Sequence, residues 1–163
     1  MALYVDYINV MTYEFHNFAQ QNYTGFNSPL FGRKDDYPNE TTSNIKDAVQ
    51  YYVDNGMRKD QIIVGFPTFG RGWTLLSEND TGVHAPCIGK SNGTRYFGWG
   101  GGATYADICD MLSKGARRVF DNEAKVPYLV LGKQWFSYDD EESYQIKVYL
   151  FLHINSIGFS SIG

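Results

Sequence analysis

The sequence predicts an α/β fold: part of a (β/α)8 barrel, about three of its strands, carrying a small inserted α+β domain. Three observations predict it. Val5, Tyr7, Ile8, Val10 and Met11 form an apolar, aromatic and β-branched run without a turn residue, and Thr12-Tyr13-Glu14-Phe15-His16 then turns abruptly polar and aromatic. A barrel strand reads this way when it leaves the core and offers side chains at the C-terminal rim, where such barrels keep their chemistry. The run Gln61–Phe66 followed by Pro67-Thr68-Phe69-Gly70-Arg71 repeats the same grammar. Between the two lies a helical pattern, and strand, helix, strand in that order is a right-handed crossover of a parallel sheet.

The first strand covers about residues 4–11. Residues 12–40 carry turn chemistry at Gly25, Ser28-Pro29, Gly32 and Asp35-Asp36-Tyr37-Pro38, and a loop of this length is usually functional or an insertion. Thr42 or Ser43 is expected to cap the helix that follows. Its Ile45, Val49, Tyr52 and Val53 share one face, and Asn55-Gly56 supplies the stop. From Gly70 to Tyr138 glycine is dense and strands are short. One helix is expected over Tyr105–Lys114, and a hairpin joins Val126–Leu131 to Gln134–Tyr138 around Gly132. This is the inserted α+β lobe. The acidic run Asp139-Asp140-Glu141-Glu142 suits a helix N-terminus and no other role, with the helix reaching about His153 and a last strand within Ile157–Gly163. The expected division is therefore barrel at 1–69, lobe at 70–138 and barrel again at 139–163.

Composition narrows the function. The chain has 163 residues, a net charge of −4 and no basic stripe, which argues against nucleic acid and anionic membrane surfaces as partners. No apolar run approaches the roughly 20 residues of a membrane helix, and no signal peptide is visible. Aromatic residues make up 17%, and rings in such number serve as core filler or as platforms for sugars and other ligands. Four Asn-x-Thr sequons, at Asn22, Asn39, Asn79 and Asn92, exceed the one or two that chance gives, roughly, and suggest a secreted glycoprotein. Cys87 and Cys109 either pair with each other, pair elsewhere or stay free. His16, His84 and His153 show no metal-ligand spacing, and Gly98–Gly102 lacks the Lys of a phosphate loop, so neither metal nor cofactor is expected. A closed barrel takes roughly 250 residues, and three strands alone leave raw sheet edges, so the chain is expected to be the C-terminal part of a larger protein.

These stretches closely resemble glycoside hydrolase family 18, the chitinases and chitinase-like lectins. Tyr7–His16 resembles the family's sixth-strand motif, Met-x-Tyr-Asp, and Val64–Arg71 its seventh-strand motif, Gly-x-Pro-x-Tyr-Gly-Arg. Tyr105-Ala106-Asp107-Ile108-Cys109, Val126-Pro127-Tyr128 and Trp135–Asp140 are similar to its chitinase insertion domain, and the likeness runs from residue 1 to about 147. Three departures stand out. The family's catalytic Asp-x-x-Asp-x-Asp-x-Glu does not occur in this sequence, and glycoside cleavage needs a carboxylic acid to protonate the leaving oxygen. Phe69 stands where the family has Tyr, and the last segment lacks the Trp of Gly-Gly-Ala-Met-x-Trp.

The resemblance implies a fragment of a chitinase that hydrolyses β-1,4-N-acetylglucosamine linkages. The fragment would contribute substrate-binding walls for chitin or chito-oligosaccharides but lack the catalytic acid, and so be inactive alone and extracellular. A chitin-binding lectin without hydrolysis and a non-functional truncated product are the alternatives. Residue by residue, the resemblance implies that Tyr13 orients the substrate's N-acetyl group and that Glu14, standing for the family's Asp, accepts from sugar hydroxyls. Met11 lines the floor or merely fills core. Arg71 offers a fork of five donors to hydroxyls and an amide carbonyl, or pairs with a neighbouring carboxylate. Phe69 is expected in the sugar site without the hydroxyl, and Asp107 either lines the cleft wall or is a solvated helix-surface charge. Trp73, Trp99 and Trp135 each either stack on a sugar ring or pack in the core or lobe, and packing is the expected role.

Overall fold

Two kinds of strand in the chain give two kinds of sheet. In the computed structural model, which describes residues 4–153 and 159–162, the elements run β1 (Ile8–Met11), α1 (Ile45–Asp54), a 3-10 turn at Lys59–Gln61, β2 (Ile62–Pro67), β3 (Phe69–Leu75), β4 (Cys87–Lys90) and β5 (Gly102–Thr104). There follow α2 (Tyr105–Ser113), β6 (Arg117–Asp121), β7 (Val126–Leu131), β8 (Gln134–Ser137), α3 (Glu141–His153) and β9 (Phe159–Ile162).

The near-continuous apolar run of β2 is what a strand with both neighbours parallel requires. It sits at the centre of a three-stranded parallel sheet, β1-β2-β9, with Ile8 opposite Ile62 and Val64 opposite Phe159. Side chains alternate across it. Val10, Ile62, Val64 and Phe66 point into a core closed by Ile45 and Val49 of α1, Phe151 of α3 and Leu30. Met11 and Gly65, directly opposed, belong to the other face.

The Gly- and aromatic-rich middle folds into an antiparallel sheet ordered β4-β3-β8-β7-β6, with β5 also pairing the first half of β3. Its two faces bury two separate cores. Trp73, Leu75, Val126, Tyr128, Val130 and Trp135 pack with Phe26 on one, while Leu129, Phe136 and Tyr138 pack with Ala103, Ile108 and Met111 on the other, under α2.

Several sequence expectations need correction. The first strand is four residues rather than eight: Tyr4, Val5 and Tyr7 are exposed, because β1 gains its ladder only where β2 runs beside it. Asn44, not Thr42 or Ser43, caps α1, its Oδ1 accepting from the Asp47 N–H at 3.0 Å. Phe69 opens β3, so Phe69 and Arg71 sit on the antiparallel sheet rather than at the end of the second strand.

Residues 12–40 are irregular but not peripheral. They place Leu30 in one core and Phe26 in another, and their backbone bonds to distant segments through Thr24 N–H to Ala85 O (3.0 Å) and Leu30 N–H to Ala124 O (2.9 Å). The acidic run also does more than start a helix. Asp139 is buried against Lys147, whose ammonium has no solvent exposure and also donates to Ser28 O at 2.7 Å. The expected last strand lies partly outside the described residues, at 157–158 and 163.

Candidate functional site

The chain bends sharply where β1 ends. Thr12 Oγ1 donates to Gly65 O at 2.7 Å, and Thr12 O accepts from Ser28 Oγ at 2.6 Å, so the strand is tied to β2 and to the 12–40 segment at one residue. Tyr13 then lies over Gly65: a Cβ there would stand 3.1 Å from Tyr13 Cε1. Gly65 is thus the vacancy that lets the ring rest on β2. The Tyr13 ring meets Phe69 edge-on, centroids 5.7 Å apart at 78°.

Glu14 takes a left-handed backbone, φ 62°, which costs a residue with a Cβ unless its surroundings hold it. Asn27 holds it. Its Oδ1 accepts from the Glu14 N–H at 3.0 Å, and its Nδ2 donates to Phe69 O at 3.0 Å. Its own N–H donates to Ser137 Oγ at 2.9 Å. One amide side chain therefore spans the end of β1 and the start of β3, and its backbone docks on β8. The outcome is that Glu14 Oε1 pairs with Arg71 Nη2 while the guanidinium lies 4.9 Å over the Phe69 ring. Arg71 is mostly covered and Glu14 nearly half exposed; burial draws the Arg71 pKa down from its ordinary value.

Tyr13, Glu14, Phe69 and Arg71 thus come together, with Met11 on the same face of the parallel sheet as the Tyr13 ring. Met11 is 73% exposed, so it does not fill core. Asp107 belongs to a different network. It is buried rather than a solvated helix-surface charge, and it closes a capping box at the start of α2: its Oδ2 accepts from Thr104 N–H (3.0 Å) and Oγ1 (2.8 Å), and its Oδ1 from Tyr96 N–H (3.1 Å). Burial works against its charge, but these donors outweigh it and keep the carboxyl below the usual range.

Trp73 and Trp135 are fully buried, as expected, but Trp99 is 74% exposed. Cys87 and Cys109 are free thiols; burial, with Asp80 nearby, pushes Cys87 up to about 12, far from a reactive thiolate. The sequon residues Asn22, Asn39, Asn79 and Asn92 are all exposed. Among the described residues no three His, Cys, Asp or Glu side chains are grouped to hold a metal ion, and no helix is long and apolar enough to cross a membrane.

Asn27 and Gly65 are parts of the site that sequence reasoning missed. The one available signal for Asn27 was its place just before Ser28-Pro29 in a turn-rich segment. Chemically the cluster is a donor fork, a carboxylate acceptor and two ring edges on one wall, a combination suited to neutral polyhydroxylated rings bearing amides. An open pocket of about 840 Å³ lies elsewhere, along α3, lined by Thr68, Tyr105, Tyr144, Val148, Tyr149 and Leu152 among others. Its walls are almost wholly apolar, which does not suit the same ligand.

Comparison with known proteins gives a consistent result. The sequence profile described as Glycosyl hydrolases family 18 matches residues 1–162. A probable endochitinase of Caenorhabditis elegans is 41% identical over 145 residues, 88% of this chain and 23% of that protein. Among solved structures, an immunomodulatory active chitinase from Trichuris suis superposes with a TM-score of 0.95 at 44% identity, over 98% of this chain and 43% of its own. Human YKL-39, described as a pseudo-chitinase with retained chitooligosaccharide binding properties, superposes at 0.92 with 34% identity, over 99% and 44%. The chain spans less than half the length of each of these relatives.

Proposed function

We propose, for a chain that belongs to glycosyl hydrolase family 18, that it forms one wall of a chito-oligosaccharide-binding cleft and does not hydrolyse its ligand alone. The observation that carries the reading is the Tyr13–Phe69–Arg71–Glu14 cluster, held in place by Asn27 at the junction of β1 and β3. In this reading Tyr13 and Arg71 donate to the N-acetyl group and hydroxyls, Glu14 accepts from hydroxyls, and Phe69 contributes its ring. Met11 borders the same face. Glu14 is one methylene longer than the Asp of the family motif, and that extra reach supports its direct pairing with Arg71. The cluster contains one carboxylate, paired with a cation, and the family's acidic catalytic motif is not in the sequence. A proton donor for the leaving oxygen is therefore lacking from this wall.

The architecture proposed with it is a partial barrel formed by β1, β2 and β9, into which the antiparallel sheet and α2 are inserted as the family's chitinase insertion domain. Its limits fall near residues 70 and 138, with Phe69 already on the lobe's first strand. Asp107 supports the lobe as a capping residue rather than a direct sugar ligand. The apolar pocket on α3 fits this architecture as a packing surface, since Tyr149 and Leu152 leave large apolar side chains exposed along it. The four exposed sequon asparagines support an extracellular, glycosylated protein.

A binding measurement with chitotetraose, paired with a reducing-end assay, tests the function. Saturable binding that Arg71→Ala weakens about tenfold or more, without release of reducing ends, is the expected result. Cleavage by the 163-residue chain would contradict the inactive-wall reading, and equal binding by Arg71→Ala would contradict the assigned wall. A lectin role in the whole protein is supported by the named binding properties of the human pseudo-chitinase. Active and lectin-like relatives match this chain alike, so it is the part shared by both.

A further inference from the structure

The exposed Trp99 lies beside the Arg71 wall, and the strand register explains how. Arg71 of β3 is opposite Gly102 of β5. Directly opposed residues of an antiparallel pair project to the same face, about 5 Å apart. Gly102 has no side chain to fill its place, and the Phe97 ring takes it: a Cβ on Gly102 would stand 2.9 Å from Phe97 Cε1 and 3.0 Å from Cζ. Phe97 in turn backs Trp99, with ring centroids 5.1 Å apart at 60°. The aromatic pair therefore extends the wall by one strand on the face that carries Arg71.

The loop that presents the indole is fixed rather than loose. Lys90 Nζ donates to Trp99 O at 2.7 Å, Thr94 N–H bonds Phe97 O at 3.0 Å, and Asp107 holds the Tyr96 N–H. Trp99 is 74% exposed while both other tryptophans are fully buried. A rigid loop that holds an indole in water is pre-organised for a flat, partly apolar ligand, and the cost of ordering it is already met in folding. On the same loop Asn92, Gly93, Arg95 and Gly98 are exposed and not apolar, and Tyr96 is the other exposed ring, so the platform is far smaller than the apolar core of a protein–protein interface.

We propose that Trp99, backed by Phe97, is a distal sugar subsite: the indole stacks on the C–H face of an N-acetylglucosamine ring whose oligomer continues along Arg71, Phe69 and Tyr13. The proposal rests on the chito-oligosaccharide reading above. It predicts that Trp99 senses oligomer length, whereas Arg71 does not.

The test uses the full chain carrying Asn92→Gln, so that a glycan on the same loop cannot cover the indole. Affinities for the dimer and the hexamer of N-acetylglucosamine are compared. Trp99→Ala is expected to weaken the hexamer about tenfold and leave the dimer unchanged, while Trp99→Phe retains most of the hexamer affinity. Arg71→Ala is expected to weaken both. As the exposed indole, Trp99 should also be shielded from acrylamide quenching by the hexamer and not by the dimer, and this readout needs no Trp99 variant to fold. Wild-type hexamer affinity in Trp99→Ala, equal losses for both oligomers, or no shielding would each overturn the subsite while the Arg71 result still judged the wall. No binding of either oligomer would overturn both.

Discussion

Asn27→Ala is the substitution that most directly ties the fold to the site. The side chain is 1% exposed as part of its residue and makes two bonds, accepting from Glu14 N–H and donating to Phe69 O, each 3.0 Å. Truncation leaves the part-buried Glu14 N–H and Phe69 carbonyl without this partner. An orphaned buried polar group costs about 1–3 kcal/mol, and the partial burial of both keeps the pair to roughly 2–4 kcal/mol. For a chain of this size that lowers the thermal midpoint by roughly 5–15 °C. The local effect is larger than the global one: without its acceptor, Glu14 keeps only the neighbouring Phe15 N–H to Asn27 O bond to hold its φ of 62°, and it relaxes, loosening the pairing with Arg71. Asn27→Asp is the informative companion, because it keeps the acceptor for Glu14 N–H and loses the donor to Phe69 O. Differential scanning calorimetry and a chitotetraose titration on the three proteins check this. A midpoint within about 1 °C of wild type for Asn27→Ala, with unchanged binding, would refute the claim that Asn27 organises the site.

Two further predictions concern buried charge. Lys147→Met leaves Asp139 charged and buried with Ser143 Oγ as a remaining donor (2.7 Å), which should cost about 3–5 kcal/mol, whereas Lys147→Met with Asp139→Leu should recover most of it. Chemical denaturation of both variants decides; a double variant no better than the single would show that the pair is not the cause. His16 is buried near Glu40 and His84, and burial lowers its pKa from 6.5 to about 4. The unfolded chain takes up that proton first, so stability is full above pH 6.5 and falls as pH drops toward 4, by roughly 3 kcal/mol in all. His16→Gln should flatten that segment of a stability–pH curve, and an unchanged slope would remove His16 as its source.

Much of this molecule can be read without coordinates where local rules act alone. The apolar run of β2, the one-sided pattern of Ile45, Val49 and Tyr52, and the turn at Gly132 (φ 55°) each carry their own signal. Strand β6 does not, because Arg117 and Arg118 place exposed charges at its start and mask its alternation at the sheet edge. The 12–40 segment looks like a loop because it has no period. Its order comes instead from buried polar side chains, Thr24, Asn27 and Ser28, that bond to Gly82, Phe69 and Lys147, far away in the sequence. The Asp139–Lys147 pair was hidden for a similar reason: eight residues apart, one lies before α3 and the other within it, and their burial depends on Ser28, more than a hundred residues earlier. Tyr13, Glu14 and Arg71 stand out because they follow strands as polar residues. For Trp99 the sequence leaves packing and sugar stacking open and favours packing, because hydropathy sends an indole inside; its place on the β4–β5 loop keeps it out.

The central claim is that one face of this chain, at the β1–β3 junction, takes a chito-oligosaccharide. Amide chemical-shift mapping during a titration with the N-acetylglucosamine hexamer tests it most directly. Shifts concentrated at Tyr13, Glu14, Phe69 and Arg71, spreading to Phe97 and Trp99, are the predicted result. Shifts confined to the apolar pocket of α3, around Tyr144, Val148 and Leu152, would contradict it.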